Sequence, residues 1–139
     1  MVFEGINDLG NSDPLGQTDF QTRLIQGYQQ IISQVQAAGL PIIGTTITPF
    51  ICPLGHSGPT NRYALEAIRE QTRQNINDWI RNSGSYDYVV DFDKIIRDPN
   101  NASLTSRTYQ GKDCLHPNTK GYAALANNFP LEVFSILGK

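Results

Sequence analysis

The chain has 139 residues, 39% of them hydrophobic, which fits one domain spanning residues 1–139 with a core of its own. A formal charge of −2 and a pI near 5.6 give no electrostatic reason to expect nucleic acid or an anionic membrane as partner. No apolar run approaches the roughly 20 residues of a membrane span, and no charged-then-apolar stretch at the start reads as a signal peptide.

Met1 to Phe3 reads as the tail of a strand that stops at Glu4-Gly5, followed by a loop rich in Gly, Asn, Asp and Pro from Ile6 to Gln17. Thr18, with Gln21 three residues on, has the pattern of a capping box. Phe20, Leu24, Ile25, Tyr28, Ile31, Ile32 and Val35 then recur at helical spacing up to Gly39, a residue suited to a left-handed C-cap. Pro41 to Pro49 is short and rich in β-branched residues, the composition of a buried strand. A loop with Pro53, Gly55, Gly58 and Pro59 leads to a second helix from about Asn61 to Asn82, ended by Gly84. Its inward stripe is expected to be Ala64, Ala67, Ile68, Ile76, Trp79 and Ile80. Tyr86 to Ile96 contains a third strand centred on Tyr88 to Phe92, and a polar loop runs from Arg97 to Lys112. The last helix starts near Asn118 or Thr119 and carries Tyr122, Leu125, Phe129, Val133 and Leu137, with Pro130 as a kink or break. Strand and helix alternate in the βαβ rhythm of a parallel sheet with helices on both faces. Sites in such sheets form at the carboxyl ends of the strands. Loops leave those ends at Gly5, at Phe50 and after Phe92, so Asn7, His56, Ser57, Asp113 and His116 all fall on one sheet edge.

The chemistry concentrates in Asp113-Cys114-Leu115-His116-Pro117. Histidine serves as a general base because it titrates near neutrality, and it needs a carboxylate on its other ring nitrogen to fix the tautomer. Three residues on a tight turn bring the two side chains to the same side, and Pro117 restrains His116 to an extended backbone. Alone, a bare D-x-x-H also reads as a helix-entry loop with Asp113 capping a turn and His116 on the surface. Gly5-Ile6-Asn7-Asp8 follows the first strand; an Asn amide is a neutral donor for a developing oxyanion. Gly, Asn and Asp are equally the residues of an ordinary turn. Two cysteines, Cys52 and Cys114, are too few for a metal cluster, and neither lies in a C-x-x-C pair. One disulfide or two buried thiols both remain open. With the sequon Asn101-Ala102-Ser103, the cysteine pair points to a secreted protein.

Taken together, Gly-x-Asn-Asp at Gly5–Asp8 and Asp-x-x-His-Pro at Asp113–Pro117 resemble the third and fifth sequence blocks of the SGNH, or GDSL-type, ester hydrolase family. GTTITPF, DWIRNSG, VVDFDKIIRDP and HPNTKGYAALA extend the resemblance in order over essentially the whole chain. It implies an α/β fold of the flavodoxin-like, three-layer α/β/α kind. It also implies His116 as general base, Asp113 as its orienter and Asn7 as an oxyanion donor, with no metal or cofactor. The implied substrates are small esters, carbohydrate acetyl esters first and lipid esters second. The family's Gly-Asp-Ser nucleophile block and the Gly of its second block lie upstream of Gly-x-Asn-Asp. Only six residues precede Asn7 here, and no Gly-Asp-Ser occurs. Ser57, in Gly55-His56-Ser57-Gly58, lacks a nucleophile elbow. Ser12 has no positioning feature, and His56 reads as a loop residue.

On the family's strand order 2-1-3-4-5, the chain is therefore expected to lack the first two strands and to expose Met1–Phe3 as an edge. Self-association through that strand, or complementation by a missing N-terminal segment, follows as an expectation. The resemblance also puts Cys52 and Cys114 on the same sheet edge, where a disulfide closing so long a loop would contribute roughly 4 kcal/mol. Two functional classes stand: the C-terminal part of a serine ester hydrolase, and a non-catalytic remnant that keeps the fold.

Overall fold

A computed structural model describes residues 1–13, 16–51 and 62–137 of the chain. Its centre is a small parallel sheet. Strand β1 (Ile43–Thr45) pairs with β2 (Tyr88–Val90), Ile43 opposite Tyr88 and Thr45 opposite Val90. Val2 adds to the other side of β1 through a parallel bridge to Gly44. Its N–H donates to the Ile43 carbonyl at 2.8 Å, and Thr45 N–H donates to the Val2 carbonyl at 3.1 Å. The expected first strand thus contributes one bridging residue. Gly44 lies under the Tyr86 ring, where a Cβ would overlap the ring carbons.

Side chains of a strand alternate between faces, and the core divides accordingly. Ile42 joins Tyr28, Ile32, Ile76, Ile80 and Tyr86, packed on helices α2 (Gln17–Ala37) and α3 (Arg62–Asn82). Ile43 and Val90 join Phe92, Ile96, Leu125 and Val133, from α4 (Phe92–Ile96), α5 (Thr119–Asn127) and α6 (Glu132–Leu137). Trp79 stacks near Tyr28 and meets Tyr86 edge-on, each at 6.1 Å between ring centres. The result is an α/β fold with a parallel sheet, as the strand–helix alternation predicts.

Several local readings change. Ile6–Asn11 is a short helix, α1, where a loop is expected. Helix α2 begins at Gln17 with Gly16 as cap, and the Thr18–Gln21 capping box does not form. Gln17 is buried and its amide donates to Ser12 Oγ at 2.8 Å and to the Asp13 carbonyl at 2.7 Å, which fixes the helix start before Thr18 is reached. Gly39 and Gly84 take positive φ just beyond the ends of α2 and α3. The third strand is shorter than Tyr86–Ile96, because Asp91 accepts a hydrogen bond from Lys94 N–H at 3.1 Å and starts α4. The polar loop after Ile96 holds an antiparallel hairpin, β3 (Arg97–Asp98) and β4 (Asn101–Thr105). Asn118 caps α5 by accepting from Gly121 N–H, and Pro130 falls between α5 and α6. Ala64 and Leu137 lie outside the described side chains.

The inward face of α3 is the largest departure. Ile76, Trp79 and Ile80 pack as expected, but Ala67 and Ile68 are exposed. The buried face toward the start of the helix is polar: Glu70, Thr72, Arg73 and Asn77. Arg73 is 0% exposed; it grips Glu70 at 2.7 and 2.6 Å and Asp93 at 2.7 Å. Its remaining protons go to the carbonyls of Ile47 and Ala102. Asp93 also accepts from Arg81 at 2.6 Å and Arg97 at 3.1 Å, and Arg81 holds both oxygens of Asp91. Burial alone would lower the Arg73 pKa, but Glu70 and Asp93 more than offset it and raise it. Burial would raise Asp91, and the hydrogen bonds from Arg81, Thr46 and Lys94 N–H lower it instead. Asn77 accepts from Ile47 N–H at 2.7 Å and donates to the Ile47 carbonyl at 2.8 Å. The segment leaving β1 is thereby clamped to α3.

Candidate active site

The Asp113–His116 segment is a closed turn between β4 and α5. Gln110 and Pro117 bridge antiparallel across its base. Gly111 N–H donates to the His116 carbonyl at 2.9 Å, and Cys114 N–H donates to the Gly111 carbonyl at 3.3 Å. A side chain at 111 would drive its Cβ into the His116 carbonyl, so the close approach requires glycine. The Asn118 amide ties the base further, donating to the Thr108 and Gln110 carbonyls at 3.0 and 3.1 Å. Cys114 sits at the apex with φ 59°, buried, and is not a free thiol. Its expected partner Cys52 lies outside the described residues.

Asp113 divides its two oxygens. Oδ1 accepts from the N–H groups of Leu115 at 3.0 Å and His116 at 2.9 Å, which shapes the turn. Oδ2 meets His116 Nδ1 at 2.6 Å. The contact with the imidazole first, then the two backbone donors, pull the Asp113 carboxyl down to about 2. An ionised carboxylate can only accept, so Nδ1 carries the proton and Nε2 of the neutral ring keeps its lone pair. That is the tautomer a general base needs. Both side chains are solvent-accessible, 64% for His116 and 54% for Asp113.

His116 borders an apolar cavity of about 100 Å³, walled by Phe3, Ile6, Ile47, Leu115 and Tyr122 among others. Asn7 does not share in this lining. It is exposed on the first turn of α1, one residue after Ile6, and no hydrogen bond of its side chain is found among the described residues. Gly5 explains how that turn starts. Its φ of 110° is open to glycine, and a Cβ there would overlap the Tyr28 hydroxyl. The same hydroxyl donates to the Glu4 carbonyl at 2.8 Å. So the structure brings Asp113 and His116 together and leaves Asn7 outside the cavity lining. Ser12 is engaged elsewhere: its hydroxyl donates to the Leu9 carbonyl at 2.6 Å and accepts from Gln17. His56 and Ser57 lie outside the described residues, and among the described residues no serine lines the cavity.

Sequence reasoning missed the cavity wall and the clamp behind it. Ile47 stood inside the predicted strand, but nothing local marks its side chain as facing His116. The signal that was available is polar residues at helical spacing, Glu70, Arg73, Asn77 and Arg81, on a helix expected to bury an apolar stripe.

This α/β fold carries a carboxylate-backed histidine beside an apolar cavity, and the class, that of ester hydrolases, comes from the family comparison. The chain belongs to the GDSL-like lipase/acylhydrolase family, whose model matches residues 1–124. No curated protein matches it.

Proposed function

We propose that this chain is the base-bearing part of a serine ester hydrolase on a flavodoxin-like, three-layer α/β/α fold. His116 is the general base, Asp113 its orienter and Asn7 an oxyanion donor. The nucleophilic serine comes from residues outside these 139. The observation that carries the reading is the 2.6 Å contact between Asp113 and His116 Nδ1, which leaves Nε2 of this cavity-lining residue as a proton acceptor. Acyl transfer would then run in a fixed order. The serine attacks the ester carbonyl, Nε2 takes its proton, the oxyanion meets the Asn7 amide, and the imidazolium returns the proton to the leaving alcohol.

The cavity supports small acyl groups as substrates. At about 100 Å³ it is smaller than the ~150 Å³ apolar cavity that holds a benzene ring. Acetyl esters, including those on carbohydrates, therefore come before long-chain lipid esters. A Cys52–Cys114 disulfide tethering the histidine turn, in a secreted protein, belongs to the same proposal.

A second reading is a non-catalytic chain that keeps the fold and assembles through its first strand. It is favoured by the lack of a serine among the described residues that line the cavity. Turnover of a chromogenic acetyl ester separates the two. The chain alone is expected to be silent. The chain joined to a segment bearing the family's Gly-Asp-Ser block is expected to turn over, and His116→Ala to abolish that rate. A joined, folded protein with no turnover, or a rate indifferent to His116→Ala, would sink the hydrolase reading.

A further inference from the structure

We propose that Asn101 is an acceptor for an N-linked oligosaccharide. Asn101-Ala102-Ser103 is the one Asn-x-Ser/Thr triplet in the 139-residue sequence, and its middle residue is not proline. The structure puts it at the first residues of β4, at the tip of the β3–β4 hairpin, directly after the Pro99-Asn100 turn. Asn101 and Ala102 are exposed.

The polar atoms of the triplet are arranged compatibly with modification. Asn101 Oδ1 accepts from Ser103 N–H at 3.1 Å, an Asx turn that turns the amide toward the residue two ahead. Nδ2 makes no hydrogen bond among the described residues, so a sugar on it displaces no internal contact. The inward-facing groups of the strand are separate atoms: the Ala102 carbonyl accepts from Arg73, and Thr105 Oγ1 donates to the Pro49 carbonyl. None of the three triplet residues lines the cavity beside His116. A bulky, hydrated substituent is thus accommodated on the open side of the hairpin without touching the buried ionic cluster or the candidate site. Among the described residues no cysteine is free, which accords with an oxidising secretory route.

The donor is a lipid-pyrophosphate-linked oligosaccharide. The Asn101 amide nitrogen forms a bond to the sugar C1, the C1–O bond to pyrophosphate breaks, and the amide gives up one proton as the lipid pyrophosphate leaves. The hydroxyl two residues on is part of what the transferase reads, which gives Ser103 a role separable from folding.

The test is peptide mapping of the chain led into the secretory pathway of a eukaryotic host by a fused leader. Enzymatic removal of N-glycans is expected to shift the mass of the whole protein and to leave aspartate at position 101. Asn101→Gln and Ser103→Ala should each abolish the shift, and Ser103→Thr should retain it. A folded, secreted wild-type protein whose map is dominated by unmodified Asn101 overturns the proposal, whatever the variants do. A shift that survives Asn101→Gln overturns it as well.

Discussion

Asp113 and His116 lie three residues apart, yet their pairing depends on a third residue, Gly111. The turn closes only because Gly111 allows the His116 carbonyl to approach its backbone. With the turn closed, one carboxylate both folds the segment and holds the imidazole. Asp113→Asn keeps an acceptor for the turn but removes the ionised partner of Nδ1. In the serine-bearing enzyme it is expected to lower kcat by about 10⁴-fold, as loss of an orienting aspartate does elsewhere. Steady-state kinetics on the acetyl ester check this. The pH dependence follows from the lowered carboxyl. Asp113 contributes to the turn above its ordinary pKa of 3.8, and that contribution is lost as pH falls through about 2. Thermal unfolding of wild type and Asp113→Asn should differ near neutrality and converge toward pH 2. Curves that stay parallel would contradict it. Gly5→Ala is a second residue-scale case. Positive φ and overlap with the Tyr28 hydroxyl should together cost about 2 kcal/mol or more, read as a lowered denaturant midpoint. The glycine and the D-x-x-H pair were legible from residue type and spacing. The need for Gly111 was not, because it arises from a carbonyl five residues away.

At the scale of the element, α3 shows why periodicity alone misjudged a face. Its length and end were readable from Asn82 and Gly84, and Ile76 and Ile80 do pack inward. One turn earlier the helix buries Arg73 instead of an aliphatic residue. Only partners brought from the segment leaving β1, from α4 and from the β3–β4 hairpin make that possible. A buried guanidinium is tolerable when every proton has an acceptor and carboxylates balance its charge. Arg73→Leu leaves Glu70 and Asp93 without their buried counter-charge and is expected to cost about 3–5 kcal/mol. Chemical denaturation of the variant measures it. A change below 1 kcal/mol (roughly the worth of an exposed ion pair) would show that the cluster is not coupled to folding. Because Arg73 and Asn77 both hold Ile47, mild variants such as Asn77→Asp should also disturb the cavity wall next to His116.

Across the whole molecule, the parallel sheet ends at Val2 on one side. Val2 uses its N–H and carbonyl on β1, and among the described residues no strand lies beyond it. Met1 and Phe3 beside it are 65% and 41% exposed. An unpaired edge flanked by apolar side chains recruits another strand. The 139-residue chain is expected to self-associate with concentration in sedimentation runs, and a Val2→Pro variant, unable to donate to Ile43, to alter that behaviour. A monomer at all concentrations would count against it. The sequence by itself determined the α/β alternation, the helix ends at glycine, the start of the last helix near Asn118 and the aspartate–histidine pair, because each rests on contacts within a few residues. The tertiary structure decided the short helix at Ile6–Asn11, the hairpin after Ile96, the ionic face of α3 and the cavity walled by Ile6, Ile47 and Tyr122. The ionic face and the cavity depend on partners dozens of residues apart, which no local pattern encodes.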